Sequence, residues 1–471
     1  MQKNLIIPLE TKARDLDSRL LIGLKYLSLP DSGKSSVLIG YYKEIGSLML
    51  GGDFSPYVFL ANGLTRSSIY FERIYKSGGT CMILDEEGGI DSEYSRTRQP
   101  RGGKRDPHHQ YVSHTFFWGE NSCNTQLADN PTLKRARTSV VGNPRFDISK
   151  PFFRDYFDAL NKHNHLNWPE YILIDTAFGA ANPLVPLKLE LDYFDYDRTT
   201  KSEILDYAEY ERTIEYPLFV EAIKKLAGSL PTHKFVLRPH PVENVQTYVD
   251  IFATYPNILV TNDGPAQQWF PRASMFIHTF PACTTALEAF FFGLDPVCFI
   301  ADPNHLHVQR LPLSISTLVS TPDDLVRYIS TELTDKSSAS LGERSHHLGR
   351  LRRHIDNVSY SAAESIAEFI MKYSVIERQN EEGDYQNTDG LSINRNPRNL
   401  AYRTWHFVRN TVRQFTLRRA REAMVHRNRV KFNYLKLEEL QERCKLFRRI
   451  DNSISSVKIE QLAANSFKIS R

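Results

Sequence analysis

The sequence has few cysteines and no strong excess of charge of either sign. Its five cysteines, in 471 residues, show no C-x-x-C spacing, so zinc and redox motifs are unsupported. An odd number of scattered thiols is typical of a reducing compartment. The net charge of +4 is too small to indicate a nucleic-acid partner. We therefore expect a cytoplasmic protein that has no metal site and does not bind nucleic acid.

Long apolar runs are also missing. No stretch approaches the roughly 20 apolar residues that a membrane-spanning helix needs. Residues 1–8 lack the basic and apolar regions of a signal peptide, and no repeat of solenoid period is present. Any contact with a membrane is therefore expected to be peripheral.

The first 150 residues alternate short apolar runs with helical patterns. Strands are predicted at residues 5–7, 37–39, 57–60, 81–84, 115–118 and 139–141. Five leucines between the first two strands recur on one helical face: Leu16, Leu20, Leu21, Leu24 and Leu27. Asp15 or Asp17 is the expected cap of that helix. This alternation predicts a parallel sheet wound by helices.

A second alternating series follows. Proline, aspartate and asparagine interrupt the pattern at residues 144–162, and residues 189–216 suit either a long loop or an inserted helix. New strands are predicted at residues 171–174, 235–237, 258–260, 275–278 and 297–300. We predict an α/β fold with two Rossmann-like domains that face a cleft, and ligands beyond the carboxyl ends of the strands. The predicted parts are residues 1–150, residues 151–375, a polar linker at 376–399 and a basic helical tail at 400–471.

Three adjacent carboxylates, Asp85, Glu86 and Glu87, follow the strand at 81–84 and precede two glycines. Crowded carboxylates raise one another's pKa, which suits a general acid or base. The glycines allow the backbone to come close to a ligand. A solvated acidic turn is the alternative.

A second motif, Arg238-Pro239-His240-Pro241, follows the strand at 235–237. Two prolines hold His240 on a stiff backbone, and Arg238 beside it favours contact with a diphosphate or phosphodiester. Glu243 is placed to orient His240 or to contact a ribose. A purely structural histidine is the alternative.

A third motif runs from His278 to Glu288 and is typical of a strand, a turn of small residues and a helix. Thr284 and Thr285 at the helix start indicate an anion site, with Glu288 within reach of a ribose hydroxyl. A capping box, with one of these threonines as N-cap and Glu288 as its acid, is the alternative. Both interpretations can hold together.

Two further clusters also follow predicted strands. Arg145 and Asp147 suit an ion pair at the domain junction better than a contact with substrate. Glu10, Lys12 and Arg14 follow the first strand, where they could bind an acidic acceptor. As the solvated start of a helix they would need no function.

Four segments carry a resemblance to a known family. Residues 7–14, 85–88, 142–147 and 238–241 resemble the bacterial surface carbohydrate biosynthesis proteins, and the resemblance covers about residues 1–370. Glu-Glu-Gly and His-Pro are also similar to the signature motifs of bacterial sialyltransferases and β-Kdo transferases, whose donors are CMP-activated ulosonic acids. The resemblance implies a metal-independent glycosyltransferase of the GT-B fold that uses a CMP-linked sugar and no other cofactor.

The resemblance also implies roles for single residues. Glu87 matches the general base of the inverting sialyltransferases, and in the retaining Kdo transferases a carboxylate in this region is the nucleophile. This chain has three acids where the motif has two, so Glu86 is the alternative. His240 would bind the donor phosphate and stabilise the departing CMP, and Thr284 and Thr285 resemble the hydroxyl pair that holds that phosphate.

The tail is basic, with cations far in excess of acids over residues 394–449. An apolar stripe recurs there at helical spacing: Tyr402, Trp405, Val408, Val412 and Phe415. Such a helix is typical of a membrane surface, here the inner face of the cytoplasmic membrane, where a lipid-linked glycan acceptor would lie. A helix packed on its own protein is the first alternative, and nucleic-acid binding is the last-ranked one.

These observations predict a glycosyltransferase of capsule, O-antigen or related surface polysaccharide. Three rival functions stay open. The first is a CDP-glycerol-type glycerophosphotransferase, which shares Arg-Pro-His-Pro on a GT-B fold. The second is a non-catalytic organiser of a polysaccharide assembly complex, and the third is a sugar-nucleotide epimerase.

Overall fold

Two β-sheets, each wound by helices, form the body of the protein. The computed structural model describes residues 4–51, 56–63, 69–86, 111–129, 133–162, 168–194, 198–280, 283–303, 311–334, 341–373 and 418–471. The predicted linker at 376–399 and the apolar stripe from Tyr402 to Phe415 lie outside these residues. In the part of the chain that is described, no helix is both long and apolar enough to cross a membrane.

The first sheet has eight strands in the order β13-β14-β2-β1-β3-β4-β5-β6, and its six strands from the first half of the chain are parallel. Those six are β1 (Asn4–Leu9), β2 (Ser36–Tyr41), β3 (Tyr57–Ala61), β4 (Thr80–Leu84), β5 (Val112–Phe117) and β6 (Thr138–Val140). The central strands are buried almost throughout, as expected when helices cover both faces of a parallel sheet. The strand predictions for this half are confirmed.

The second sheet has six parallel strands in the order β12-β11-β10-β7-β8-β9. They are β7 (Tyr171–Asp175), β8 (Phe235–Arg238), β9 (Ile258–Val260), β10 (Ala273–His278), β11 (Pro296–Phe299) and β12 (Thr317–Val319). The first five confirm the prediction. The sequence did not predict β12, whose three residues include two that are exposed and give little apolar pattern.

Sixteen α-helices connect or cover these strands within the described residues. Those of the first half are α1 (Lys12–Ser28), α2 (Tyr42–Gly51), α3 (Ile69–Lys76), α4 (Glu120–Asp129), α5 (Pro144–Ile148) and α6 (Arg154–Leu160). The next are α7 (Leu187–Phe194), α8 (Arg198–Tyr210), α9 (Tyr216–Ser229), α10 (Val245–Ile251), α11 (Thr284–Phe292) and α12 (Pro322–Thr334). The last are α13 (Leu341–Leu351), α14 (Ala362–Lys372), α15 (Arg418–Phe432) and α16 (Leu437–Ile450). A π-helical turn, Glu211–Glu215, joins α8 to α9, so the segment predicted as a loop or inserted helix is mainly helical.

Helix α1 confirms the leucine face, but its predicted caps are wrong. The helix begins one turn earlier than expected, with Thr11 at the N-cap position. Asp15 lies in the first turn, where its Oδ2 accepts hydrogen bonds from the backbone N–H groups of Glu10 (2.9 Å) and Thr11 (2.8 Å). Asp17 is buried further along and accepts from Tyr156 Oη (2.6 Å).

The C-terminal segment completes the first sheet. After α15 and α16, strands β13 (Lys458–Ala463) and β14 (Ser466–Ser470) form a hairpin, and β14 pairs antiparallel with β2. A Cβ atom at Gly40 of β2 would collide with the backbone of Asn465, so this contact requires glycine. The prediction of a tail that is helical to its end is therefore wrong for the hairpin, although the described helices α15 and α16 precede it.

Candidate functional site

A cavity of about 540 Å³ lies at the carboxyl ends of the strands of the second sheet. Asp175 at the end of β7 and Arg238 at the end of β8 line it, together with the start of α11. Arg14 from α1 and Lys431 from α15 contribute to its lining from outside that sheet. The cleft predicted beyond the strand ends is thus present, in the usual position for ligands of open α/β sheets.

Arg238 lines this cavity, but most of its hydrogen bonds hold the loop after β9 in place. Its Nη1 donates to the backbone oxygen of Asp263 (2.8 Å) and its Nη2 to that of Gly264 (3.0 Å), both in the loop after β9. Its Nε lies 3.7 Å from Asp175 Oδ1. The guanidinium group therefore supplies positive charge at the cavity wall, with two nitrogens already bonded to backbone.

His240 is exposed to the cavity, and many protein atoms surround it. Burial and the nearby cations Lys431, Arg427 and Arg14 lower the pKa of His240 to about 4, so the ring is neutral near pH 7. Nδ1 accepts a hydrogen bond from the backbone N–H of Val242 (3.3 Å), which places the ring proton on Nε2. His240 can therefore donate a hydrogen bond to a ligand oxygen without carrying a charge.

Glu243 holds the loop that carries His240. Its Oε1 accepts hydrogen bonds from His240 N (2.9 Å) and Thr176 Oγ1 (2.7 Å), and its Oε2 accepts from Tyr248 Oη (2.5 Å). Burial raises the pKa of Glu243 to about 7. Glu243 does not itself line the cavity. Of the two predicted roles, the structure therefore favours orienting His240 over contacting a ribose.

Thr284 and Thr285 line the cavity at the first turn of α11. The N–H groups of a first turn have no acceptor within the helix, and the helix dipole adds partial positive charge there. The residue at the N-cap position is Cys283, which makes no side-chain capping bond. The capping box with Thr284 or Thr285 as N-cap is therefore wrong, and the anion site is the interpretation that the geometry allows.

Glu288 and Arg145 form a buried pair that connects the first half of the chain to α11. Arg145 Nη2 donates to Glu288 Oε1 and to Thr284 Oγ1 (3.2 Å), while Glu288 Oε2 accepts from Gln267 Nε2 (2.7 Å). Burial raises the pKa of Glu288. Both of its carboxylate oxygens are occupied, which leaves it poorly suited to the predicted ribose contact.

The expected ion pair between Arg145 and Asp147 is not formed. Asp147 accepts instead from the backbone N–H of Ala363 (2.8 Å) and from Asn357 Nδ2 (2.7 Å), at the start of α14. The sequence could not predict these partners, because both lie more than two hundred residues later in the chain.

Two further predicted residues, His278 and Glu86, are buried and engaged elsewhere. The ring nitrogens of His278 contact Phe280 O (3.1 Å) and Ser316 Oγ (3.0 Å). Glu86 is only 2% exposed, and its Oε1 accepts a hydrogen bond from Arg19 Nε (2.6 Å). Arg19 also donates to the backbone oxygens at the ends of β3 and β4. Through Arg19, Glu86 thus helps to hold α1 against the ends of β3 and β4. Glu87 lies outside the described residues.

Of the three residues proposed to bind an acceptor, Glu10 and Arg14 stay together, with Glu10 Oε2 3.9 Å from Arg14 Nη2, whereas Lys12 bonds to a different segment. Arg14 lines the cavity and pairs with Asp15 (2.6 Å), whereas Glu10 is mostly exposed to solvent. Lys12 Nζ donates to the backbone oxygens of Asn433 (3.1 Å) and Tyr434 (2.7 Å), in the turn between α15 and α16. Lys12 therefore fixes the C-terminal segment.

Three charged residues of the cavity lining were missed by the sequence analysis: Asp175, Glu211 and Lys431. Burial raises the pKa of Asp175 to about 7, and its position directly after a buried strand was a usable signal. Glu211 Oε2 accepts from the N–H groups of Ala180 (2.8 Å) and Ala181 (2.6 Å), which fixes the loop after β7. No sequence pattern marked Lys431, because it reaches the cavity only through the packing of α15 in the folded protein.

The cavity is suited to an anionic ligand. Arg14, Lys431 and the start of α11 supply positive charge, and neutral His240 supplies a hydrogen-bond donor. No cluster of three His, Cys, Asp or Glu side chains that could hold a metal ion occurs among the residues the structure describes.

Comparisons with known proteins show likeness at the level of fold. No family model matches the sequence, and no curated protein matches it. The wall teichoic acid polymerase TagF has a TM-score of 0.50 at 12% identity, over 80% of this chain and 90% of its own. UDP-GlcNAc 2-epimerase of Methanocaldococcus jannaschii has a TM-score of 0.46 at 13% identity, over 79% and 100%. Anabaena HepE, solved in complex with UDP, has a TM-score of 0.37 at 11% identity, over 82% and 100%. The chain therefore has the GT-B fold, in which two Rossmann-like domains face a cleft.

Proposed function

We propose that the chain is a glycosyltransferase of surface-polysaccharide synthesis that binds a nucleotide-activated sugar in the cleft. The observation that carries this proposal is the presence of His240 and the first turn of α11 in one cavity. A neutral N–H donor and a helix start both favour the oxygens of a phosphate group. The GT-B fold supports the same class of enzyme.

The donor in this proposal is a CMP-linked ulosonic acid, of the Kdo or sialic type. The support is the resemblance of Glu86-Glu87-Gly88 and His240-Pro241 to the motifs of the CMP-dependent transferases. The acceptor is a glycan or a lipid-linked glycan, and the reaction needs no metal ion.

The proposed transfer breaks the bond between the anomeric carbon and the donor phosphate oxygen. The acceptor hydroxyl oxygen forms the new bond to that carbon and gives its proton to a base. His240 Nε2–H stabilises the phosphate oxygen that departs with CMP, in the manner of a preorganised oxyanion donor. Glu87 is the proposed base, or the nucleophile if the enzyme retains anomeric configuration.

A CDP-glycerol-type glycerophosphotransferase is the second candidate, and one observation favours it. Asp175 lies in the cavity with a pKa raised to about 7, which suits a general base near neutral pH. In that reaction the acceptor hydroxyl attacks phosphorus, CMP departs, and the base takes the hydroxyl proton. The reaction needs no carboxylate nucleophile.

Calorimetry with CMP, CDP, UDP and GDP tests the proposal on the full chain. We expect CMP to bind, and UDP and GDP not to bind. Binding of UDP alone would reject the CMP-linked donor and favour an epimerase. No binding of any nucleotide would favour a non-catalytic organiser.

The histidine variants show whether the cavity is the site. His240→Ala should abolish transfer and weaken nucleotide binding while the fold stays intact. His233→Ala, which changes a half-buried histidine of the same domain outside the cavity lining, is the matched control and should behave as wild type. Near-normal turnover of His240→Ala would show that His240 is structural.

We also propose that the apolar stripe from Tyr402 to Phe415 holds the protein at the inner face of the cytoplasmic membrane. Each cation near anionic lipid contributes about 1 kcal/mol. Deleting the whole tail is a poor test, because β14 belongs to the first sheet. Trp405→Glu should instead reduce sedimentation with anionic liposomes, and unchanged sedimentation would reject the membrane contact.

A further inference from the structure

Helix α15 places the C-terminal segment against both domains. It packs on α1 and on α7, and Arg427 pairs with Glu190 of α7 at 2.6 Å. One turn further on, Lys431 lines the cavity that contains His240. Arg14 lines the same cavity, and the charges of Lys431, Arg427 and Arg14 lower the pKa of His240.

The end of α15 is held in place by several independent contacts. Asn433 and Tyr434, the next residues, both have left-handed backbone conformations, with φ of 41° and 43°. Such conformations are costly for residues other than glycine and persist where the surroundings fix them. Lys12 Nζ supplies that constraint by donating to both of their carbonyl oxygens.

The neighbouring residues add to this constraint. Phe432 is buried against Tyr41, with ring centroids 4.5 Å apart. The backbone N–H of Leu435 donates to Asn465 Oδ1 (2.9 Å) in the hairpin turn. Lys431 is therefore positioned by contacts to α1, to β2 and to the C-terminal hairpin.

The acids that line the cavity are engaged with partners of their own. Glu288 is neutralised by Arg145, and Glu211 is bonded to the amides of Ala180 and Ala181. Burial raises the pKa of Asp175 to about 7, beside Arg238. Arg14, in turn, pairs with Asp15 at 2.6 Å, so the positive charge that lines the cavity here comes mainly from Lys431 and the start of α11.

We propose that Lys431, delivered by the C-terminal segment, binds a phosphate group of the nucleotide together with Arg14 and His240. The proposal rests on the proposed function in taking a nucleotide as the ligand, and it makes residues 418–471 part of the binding site. A lysine suits this role as a point charge with three donors. Lys12 becomes a positioning residue, because it acts on the ligand only through the turn after Lys431.

Calorimetry on the full chain separates this proposal from a general effect of charge. Lys431→Ala should weaken binding of CMP or CDP about 10- to 100-fold, the range for a hydrogen bond to a charged group. Binding of cytidine, which has no phosphate, should not change, and Lys431→Arg should restore part of the affinity. Lys436→Ala, an exposed lysine of the same segment, is the matched control. Equal nucleotide affinity of the Lys431→Ala and Lys436→Ala variants would overturn the proposal.

A double mutant tests the positioning role of Lys12. If Lys12 acts only through Lys431, Lys12→Ala should weaken nucleotide binding in the wild type but add little to Lys431→Ala. Additive losses would show that Lys12 contributes by another route. Thermal unfolding of each variant checks that the C-terminal segment still folds.

Failure of the proposed function and failure of this inference give different results. If the wild type binds no nucleotide, the proposed function fails, and inorganic pyrophosphate titrated into wild type and Lys431→Ala decides whether Lys431 binds phosphate. Equal affinities or no binding would overturn the inference. NMR titration of the His240 ring gives a readout without ligand: removing the Lys431 charge should raise the pKa of His240, and an unchanged value would overturn the placement.

Discussion

Glu86 after β4 and His240 after β8 occupy similar places in the two sheets, but their surroundings differ. Both follow buried apolar strands. Glu86 meets Arg19, which lies 67 residues earlier in α1 and binds it at 2.6 Å. His240 has no such cation in direct contact among the described residues, and its ring opens into the cavity. A polar side chain at a strand end is thus available to a ligand where the covering helix brings no side-chain partner to it.

The largest effect should come from the carboxylates of the first sheet. Glu87→Gln should lower kcat about 10²- to 10⁴-fold with donor binding kept, as for loss of a general base. Glu86→Gln should retain far more activity, because Glu86 is bonded to Arg19. A transfer assay with both variants at matched thermal stability makes the comparison. A dead Glu86→Gln beside an active Glu87→Gln would move the catalytic role to Glu86.

Breaking the Arg19 to Glu86 pair should reduce the free energy of unfolding. Arg19→Met leaves the carboxylate buried and unpaired, which costs about 3–5 kcal/mol. Arg19→Met/Glu86→Met should recover much of that loss, because no charge is then left unpaired. Urea unfolding followed by circular dichroism measures both.

The matched control for this pair is Arg212→Met, which removes an exposed pair with Glu209. Its unfolding midpoint should stay at the wild-type value, because exposed pairs add little to stability. A midpoint for Arg19→Met equal to that of the control would show that the comparison between the two strand ends is unfounded.

The smallest expected effect is on the pH dependence of stability and concerns Glu243, which accepts a hydrogen bond from the backbone N–H of His240. Its pKa is raised by burial from 4.5 to about 7, so the folded protein binds more protons than the unfolded chain between these values. The contribution of Glu243 to stability therefore falls as pH rises from about 4.5 to about 7. Glu243→Gln keeps an acceptor for His240 N and should remove that dependence.

Melting temperatures at pH 5 and pH 8 measure this change. The wild type should lose stability relative to Glu243→Gln as the pH rises between these two values. Glu221→Gln, on the exposed face of α9, serves as the control. A parallel pH dependence of wild type and Glu243→Gln would contradict the raised pKa.

Most of the fold could be predicted because the strands of both halves are short apolar runs between helical patterns. The hairpin was missed because β13 is largely exposed and polar, and β14 shows only the alternation of Phe467 and Ile469. In the site, His240, Thr284 and Thr285 line the cavity, and their place at a strand end or helix start is visible in the local sequence. Their roles in catalysis and nucleotide binding stay predictions. Lys431 and the partners of Glu86 and Asp147 depend on contacts between distant segments, which no local pattern encodes.

The pairing of β14 with β2 has a consequence for synthesis on the ribosome. Asn465, beside β14, bonds to Glu44, which lies 421 residues earlier in the chain. Domains generally fold in the order in which they emerge, but here the first sheet keeps an open edge at β2 until nearly all the described chain has been translated. An unpaired strand edge is a template for aggregation. We therefore expect the edge at β2 to be the place where the nascent chain is most prone to pair with another chain before β14 covers it.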